Sequence, residues 1–254
     1  MVLDEVEDFF CIDLSDSGPW SDFENRLGTY RWQAMYATHD HTDVLAESFN
    51  PSELHGLEDE LADETQFLVR NIERQFHLWV KSVDVSAARQ KVKFSDDAIF
   101  LSFNYTDTLQ IVYGIADERI FHIHGNSANR ERLVFGHGRQ IVDPPELDES
   151  GDSNRTIFWD AEHAAKYPLR AFKKPVSDIL AENKKYFDDL CDAGKVIVMG
   201  HSLSDVDLPY LARIAKNTDC CWEVCCHTEA KVLESVKQLS KCGVSLGAIS
   251  YRPY

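Results

Sequence analysis

Three short polar segments, Ser-Phe-Asn-Tyr-Thr-Asp at 102–107, His-Ile-His-Gly at 122–125 and Gly-His-Ser-Leu-Ser-Asp-Val-Asp at 200–207, each sit at the end of an apolar run that reads as a buried strand. The runs are short and rich in branched and aromatic residues: Ala-Ile-Phe-Leu-Ser-Phe at 98–103, Arg-Ile-Phe-His-Ile at 119–123 and Lys-Val-Ile-Val-Met at 195–199. Open α/β sheets build ligand sites from the loops at the carboxyl ends of their strands. A functional site is therefore expected where these three loops meet.

The rest of the pattern extends this frame. Apolar residues recur at near helical spacing from 50 to 83, among them Leu61, Leu68, Ile72 and Phe76 with Phe67 and Trp79, and Asn50 or Ser52 can cap the start. This predicts one long helix, or two broken near Asp63. Before it, 20–27 and 30–36 predict a short helical pair, and His39-Asp-His41 opens a polar loop. Residues 108–113 predict a helix closed by Gly114, followed by strands at 120–124 and 133–135 and helices at 160–166 and 175–191. The last third reads strand 196–199, helix 205–216, strand 221–226, helix 229–241 and strand 244–249.

Such alternation implies right-handed crossovers and a mostly parallel sheet. The expected architecture is a single α/β domain over 1–254, with a largely helical portion at 20–90 and a Rossmann-like core of parallel strands flanked by helices at 95–254. Within it, 143–154 carries two prolines and a run of acids, which predicts an exposed loop of the length often used as a lid.

Composition narrows the partners. At 254 residues and 44% hydrophobic content the chain can bury a substantial core. A formal net charge of -17 argues against nonspecific binding of nucleic acid, whose phosphates would repel it. No apolar stretch approaches the roughly 20 residues that span a bilayer, and no signal-peptide layout is present. A soluble, cytoplasmic protein without membrane contact is expected. The seven cysteines are odd in number, and four lie in Cys-Cys-Trp-Glu-Val-Cys-Cys at 220–226, which alternates like a strand. Free cysteine packs as a small hydrophobe, and the segment lacks zinc spacing even with His227 beside it, so no metal is expected there.

The polar loops allow several chemistries. Asn104 offers an amide and a carbonyl that could orient a ribose hydroxyl or a water, or it caps a turn. His122 and His124 share a face only if their strand continues to Gly125. His124 could then serve as a general acid/base, or the pair could bind metal with His137, Asp205 or Asp207, or both could simply hold loops. Gly125 would let a ligand approach the backbone. Gly200 follows a strand and leads to a helix capped by Ser204 or Asp205, whose amides could meet a phosphate, although Asp205 and Asp207 compete for them. Ser202 sits in a context like a nucleophile elbow, but Ser204 stands where the final glycine belongs.

Four pieces in order, Phe-Asn-Tyr-Thr-Asp-Thr-Leu at 103–109, His-Ile-His-Gly at 122–125, Val-Phe-Gly-His at 134–137 and Gly-His-Ser-Leu-Ser-Asp-Val-Asp-Leu-Pro-Tyr at 200–210, resemble the bacteriophage abortive-infection AbiH family. Trp-Ser-Asp-Phe-Glu at 20–24 adds a weaker match. That family is similar to sirtuin-like and DHS-like nucleotide-binding proteins. The resemblance implies a sirtuin-like fold and an anti-phage protein that binds or hydrolyses NAD or a related nucleotide. It gives Asn104 and His124 catalytic roles. Asp107, Gly125, His137, Gly200, His201, Ser202, Asp205 and Asp207 would hold the nucleotide. The family's opening strand and Gly-Asn-Gly-Phe-Asp type loop have no counterpart, because the chain begins Met-Val-Leu-Asp-Glu-Val-Glu-Asp-Phe-Phe and has no glycine before Gly18. A shortened reading frame, or a lost phosphate loop, is expected.

Three functions follow: an NAD-glycohydrolase-like hydrolase, a non-catalytic interaction or sensor module that keeps the fold without nucleotide binding, and a metal-dependent hydrolase using the His/Asp cluster. The partners under the first are the nucleotide itself, with a phage-derived protein trigger and self-association into a homo-oligomer as further candidates.

Overall fold

A computed structural model of the chain describes residues 9–10, 20–39, 47, 49–50, 52–129, 132–226 and 228–252. Asp40, His41, Gly18, Arg130, His227 and the acidic opening at 1–8 lie outside the described residues. The chain divides into two compact units, one of residues 1–79 and 135–173, the other of residues 80–134 and 174–254.

The first unit is helical. It contains α1 (Trp20–Leu27), α2 (Trp32–His39), most of α3 (Ser52–Ser82), α5 (Trp159–Ala165) and α6 (Tyr167–Ala171). Helix α3 is unbroken at Asp63, and at its start Ser52 N–H donates to Asn50 Oδ1 at 3.0 Å. Leu57, Leu61, Leu68, Ile72 and Phe76 form its buried stripe, whereas Phe67 and Trp79 face outward. Thr65 is buried within that stripe, and its hydroxyl donates to Leu61 O at 2.7 Å and approaches Ala164 O at 3.1 Å. The pull of 135–173 into this unit is aromatic: Phe135 packs on Phe76 at 4.1 Å between ring centroids and on Phe172 at 5.6 Å. This explains why 133–135 is not the strand its residues suggest. Val134 N–H makes a lone bond to His124 O, and the next side chain turns into a core. The 143–154 loop is exposed throughout, with one short bridge between Leu147 and Ser153.

The second unit carries the strands. Their order along the chain is β1 (Phe100–Ser102), α4 (Thr108–Tyr113), β2 (Ile120–His122), α7 (Val176–Glu182), α8 (Lys184–Asp189), β3 (Lys195–Met199), α9 (Leu208–Asn217), β4 (Cys221–Cys225), α10 (Glu229–Lys241) and β5 (Ile249–Arg252). Every strand pair is parallel, but the strands form two short sheets, β1-β2 and β3-β4-β5, not one continuous sheet. The fold is thus mixed helix and sheet. Ser102 faces His122 in the first register, and Val198 faces Val224 in the second. The last strand starts at Ile249 because 246–248 winds into a 3-10 turn.

One core fills this unit, with Trp222, Val224 and Val198 from the larger sheet, Tyr210, Leu211 and Ile214 from α9, Phe187 from α8 and Leu239 from α10. Full burial of each such side chain contributes about 1.5–3 kcal/mol. Strand β4 alternates as its cysteines suggest: Trp222 and Val224 face the core, while Cys221 is exposed and Glu223 is paired with both Lys195 and Arg252. Cys225 and Cys242 are buried as small hydrophobes, and the six described cysteines are all free. No described helix is long and apolar enough to cross a membrane.

Candidate functional site

The loops after β1, β2 and β3 come together in the second unit. Phe103, just past β1, packs its ring edge-on to His201 at 4.2 Å and to His124 at 5.4 Å between centroids. Tyr210, from the first turn of α9, closes the group against Phe103 and His124, each at 5.8 Å.

The carboxylate of Asp207 lies at the centre. Asp207 occupies the N-cap position of α9, yet its side chain makes no capping bond. Pro209 in that first turn has no N–H, so the helix start has one donor fewer to satisfy. The carboxylate turns inward instead. Oδ1 lies 3.3 Å from Lys174 Nζ and 3.6 Å from His124 Nε2, while Oδ2 accepts from Ser204 Oγ at 3.0 Å and lies 3.7 Å from His201 Nε2. Neither Ser204 nor Asp205 caps the helix as the sequence suggests. Asp205 is exposed and pairs with Lys241 at 3.0 Å.

Burial decides the protonation of this group. His124 is only 2% exposed, and its pKa is pushed down to about 3 by desolvation first and then by the Lys174 charge, against the opposing pull of Asp207. His201 is lowered for the same leading reason, with Asp207 again opposing and Lys174 adding to the fall. Both imidazoles are therefore neutral at neutral pH. His201 Nδ1 accepts from Leu203 N–H at 2.8 Å, which puts the ring proton on Nε2, facing Asp207. His124 Nε2 and Tyr210 Oη have no hydrogen-bond partner among the described residues, so two buried polar atoms lie unpaired in one aromatic cluster.

The β3 loop is held in strain. Leu203 is the one described non-glycine residue with positive φ, at 54°, and it is 1% exposed. A left-handed backbone costs such a residue about 1–2 kcal/mol, which buried packing and the bond to His201 must offset.

The histidine pair divides. Strand β2 ends at His122, and Gly125 N–H returns to His122 O at 3.1 Å, so the backbone turns before the two side chains could share a face. His122 Nδ1 donates to Asn104 O at 2.9 Å and its Nε2 accepts from Gln110 Nε2 at 3.1 Å, which uses both nitrogens within the fold. Gly125 takes φ 84°, and a Cβ there would stand 2.5 Å from Arg132 O. The close approach that its missing side chain permits is made by the chain's own backbone.

The remaining expected residues spread around this centre. Asn104, Gly200 and Ser202 are exposed, with the Asn104 amide beyond the β1 end. Asp107 accepts through Oδ1 from the buried amide of Asn126. His137 belongs to the first unit, where Nδ1 accepts from Arg139 N–H at 3.1 Å and Nε2 donates to Leu169 O at 2.9 Å. Its ring fills the space a Cβ on Gly28 would need, at 2.8 Å. Burial lowers its pKa, and the bond to Leu169 opposes the fall. Among the described residues no group of three or more His, Cys, Asp and Glu side chains could hold a metal ion.

Lys174, Phe103 and Tyr210 complete the cluster without having been singled out as site residues. Lys174 carries the least warning, since Lys-Lys-Pro at 173–175 reads as a surface turn, whereas its side chain is 1% exposed. Phe103 and Tyr210 do lie inside the recurring motifs, at the edges where apolar residues read as core.

Comparison with curated proteins and with solved structures returned no significant match. A family model, bacteriophage abortive infection AbiH, matches residues 1–225, which takes in all three strand-end loops and Lys174. The chain belongs to the bacteriophage abortive infection AbiH family.

Proposed function

We propose that this chain serves phage defence by binding NAD or a related nucleotide at the carboxyl ends of β1, β2 and β3, on a sirtuin-like, Rossmann-like arrangement of strands, and by hydrolysing it. The observation that carries the reading is the convergence of those three loops and Lys174 on one inward-turned carboxylate, Asp207. Loops at this end of parallel strands are the ordinary seat of nucleotides. The unpaired polar atoms, His124 Nε2 and Tyr210 Oη, would be completed by hydrogen-bonding groups of an occupant that reaches them.

The chemistry asked of the protein is modest. The bond between the ribose and the nicotinamide ring breaks with its electrons going to the ring, water oxygen bonds to the anomeric carbon, and the water's proton leaves to solvent. Negative charge near the cationic centre stabilises it, and Asp207 and Asp107 are the candidates. The exposed amide of Asn104 suits the orientation of the attacking water. His124 is no imidazolium at neutral pH, so its part is that of a neutral hydrogen-bonding ring, not a general acid.

Incubation of the purified protein with NAD tests this. Nicotinamide release and a raised melting temperature are expected for the wild type, with both lost in Asp207→Asn. The reading falls if NAD neither raises the melting temperature nor yields nicotinamide. A second reading, a sensor module without nucleotide binding, is favoured by how deeply His124 and Asp207 are buried, at 2% and 5% exposure. It predicts that inert outcome for wild type and variant alike.

A further inference from the structure

The second unit holds a half-open cavity of about 230 Å³ that includes none of Lys174, His124, His201 or Asp207. Its floor is aliphatic, from Val80, Val83, Val85 and Ile111, and its polar side is Thr106, Asp107 and Ser127, with Lys81 at the rim. Asp107 is fixed there, since the amide of Asn126, itself buried, donates to its Oδ1, and the other amide atom of Asn126, Oδ1, accepts from Ala128 N–H at 2.9 Å. Asp107 Oδ2 carries no hydrogen bond among the described residues and makes no capping bond to α4. Ser127 is 7% exposed, its backbone N–H is used by Tyr105 O, and its hydroxyl has no partner among the described residues. A serine hydroxyl unpaired within the fold, beside a free carboxylate oxygen, offers a donor and acceptors to an occupant of the cavity.

We propose that this cavity binds the nucleoside part of a nucleotide, with the ribose hydroxyls shared between Asp107 Oδ2 and Ser127 Oγ and the base lying on the valine and isoleucine floor. A carboxylate with one oxygen tied down and one free accepts from a vicinal diol, and the serine hydroxyl can donate or accept beside it. The aliphatic floor suits a flat, weakly polar ring. Lys81 makes no ion pair among the described residues, and at the rim it would meet the charge of a phosphate attached to that ribose. The proposal rests on the nucleotide reading above and specifies where the nucleoside end is held.

Calorimetric titration of the purified chain with adenosine and with 2′,3′-dideoxyadenosine separates recognition of the diol from stacking of the base. Adenosine should bind, and the dideoxy compound should bind at least tenfold more weakly. Asp107→Asn and Ser127→Ala should each weaken adenosine by a comparable factor. Ile111→Trp, at an exposed position where a larger ring folds without strain, should fill the cavity and abolish binding. Equal affinity for the two nucleosides, no binding of adenosine, or unchanged affinity in Ile111→Trp overturns the proposal. Adenosine binding that depends on the diol in a protein inert toward NAD leaves the cavity standing and removes the hydrolase reading. Unaltered NAD turnover in Ile111→Trp does the reverse.

Discussion

Lys174 Nζ lies 3.3 Å from Asp207 Oδ1, and both side chains are almost wholly shut away from solvent. A pair of this kind adds little stability over an apolar pair of similar size, yet removing one member leaves a buried charge without its opposite charge. Lys174→Met should therefore cost about 3–5 kcal/mol, and the double variant Lys174→Met with Asp207→Leu should recover a large part of that loss. Urea unfolding of the four proteins in the cycle measures the coupling. Equal and additive losses would show that the pair contributes only as separate side chains.

Acid should destabilise the second unit through its histidines. His124 titrates near 3 in the folded protein and near its ordinary value of 6.5 when unfolded. Below 6.5 the unfolded chain takes up a proton that the folded one refuses, so stability falls as pH drops from about 6.5 towards about 3. At 1.36 kcal/mol per pH unit once the unfolded histidine is protonated, His124 accounts for about 2 kcal/mol of loss between pH 6.5 and 4.5. His201 shifts in the same direction and adds to it. His124→Phe should flatten the slope of unfolding free energy against pH over this interval, and an unchanged slope would rule out His124 as its source.

Leu203 sets two costs against each other. Its buried side chain makes truncation expensive, about 2–5 kcal/mol for Leu→Ala, while its φ of 54° penalises any residue with a Cβ. Leu203→Gly loses the same packing but relaxes into that backbone freely. Leu203→Gly should therefore be less damaging than Leu203→Ala by about 1 kcal/mol, the reverse of the order in a helix or strand. Denaturation midpoints of the two variants decide it.

In the first unit, Thr65→Val keeps the shape and removes the hydroxyl that donates to Leu61 O and approaches Ala164 O. The i−4 bond is local, but Ala164 O on α5 loses a tertiary contact, so a loss of about 1–2 kcal/mol is expected. A melting temperature equal to that of the wild type would mean that the contact with α5 carries no stability.

The sequence made local elements readable where pattern and burial agree. Residues 195–199 form β3, residues 229–241 form α10, and the long helical period before Val83 is one helix, since each has an apolar stripe that its neighbours cover. Reading failed where one tertiary contact outweighed a local preference, as at Phe135, drawn from an apparent strand into the aromatic core around Phe76. At the candidate site the three polar loops were visible because glycines and short polar residues interrupt apolar runs. Lys174 was not, because a buried ammonium has no sequence signature apart from the acid it meets, 33 positions away. The inward turn of Asp207 was hidden for a related reason: an acid at a helix start reads as a cap, and only the folded chain sets Lys174 against it.

That turned carboxylate has a consequence for how the sequence can drift. A lineage that loses the acid at 207 takes from the ammonium at 174 its opposite charge at 3.3 Å, and one that loses the lysine takes the same from the acid, so each change alone is costly. The two positions should vary together among relatives of this chain, either both charged or both apolar, with intermediates rare, and a survey of their pairing would record this constraint without any assay of activity.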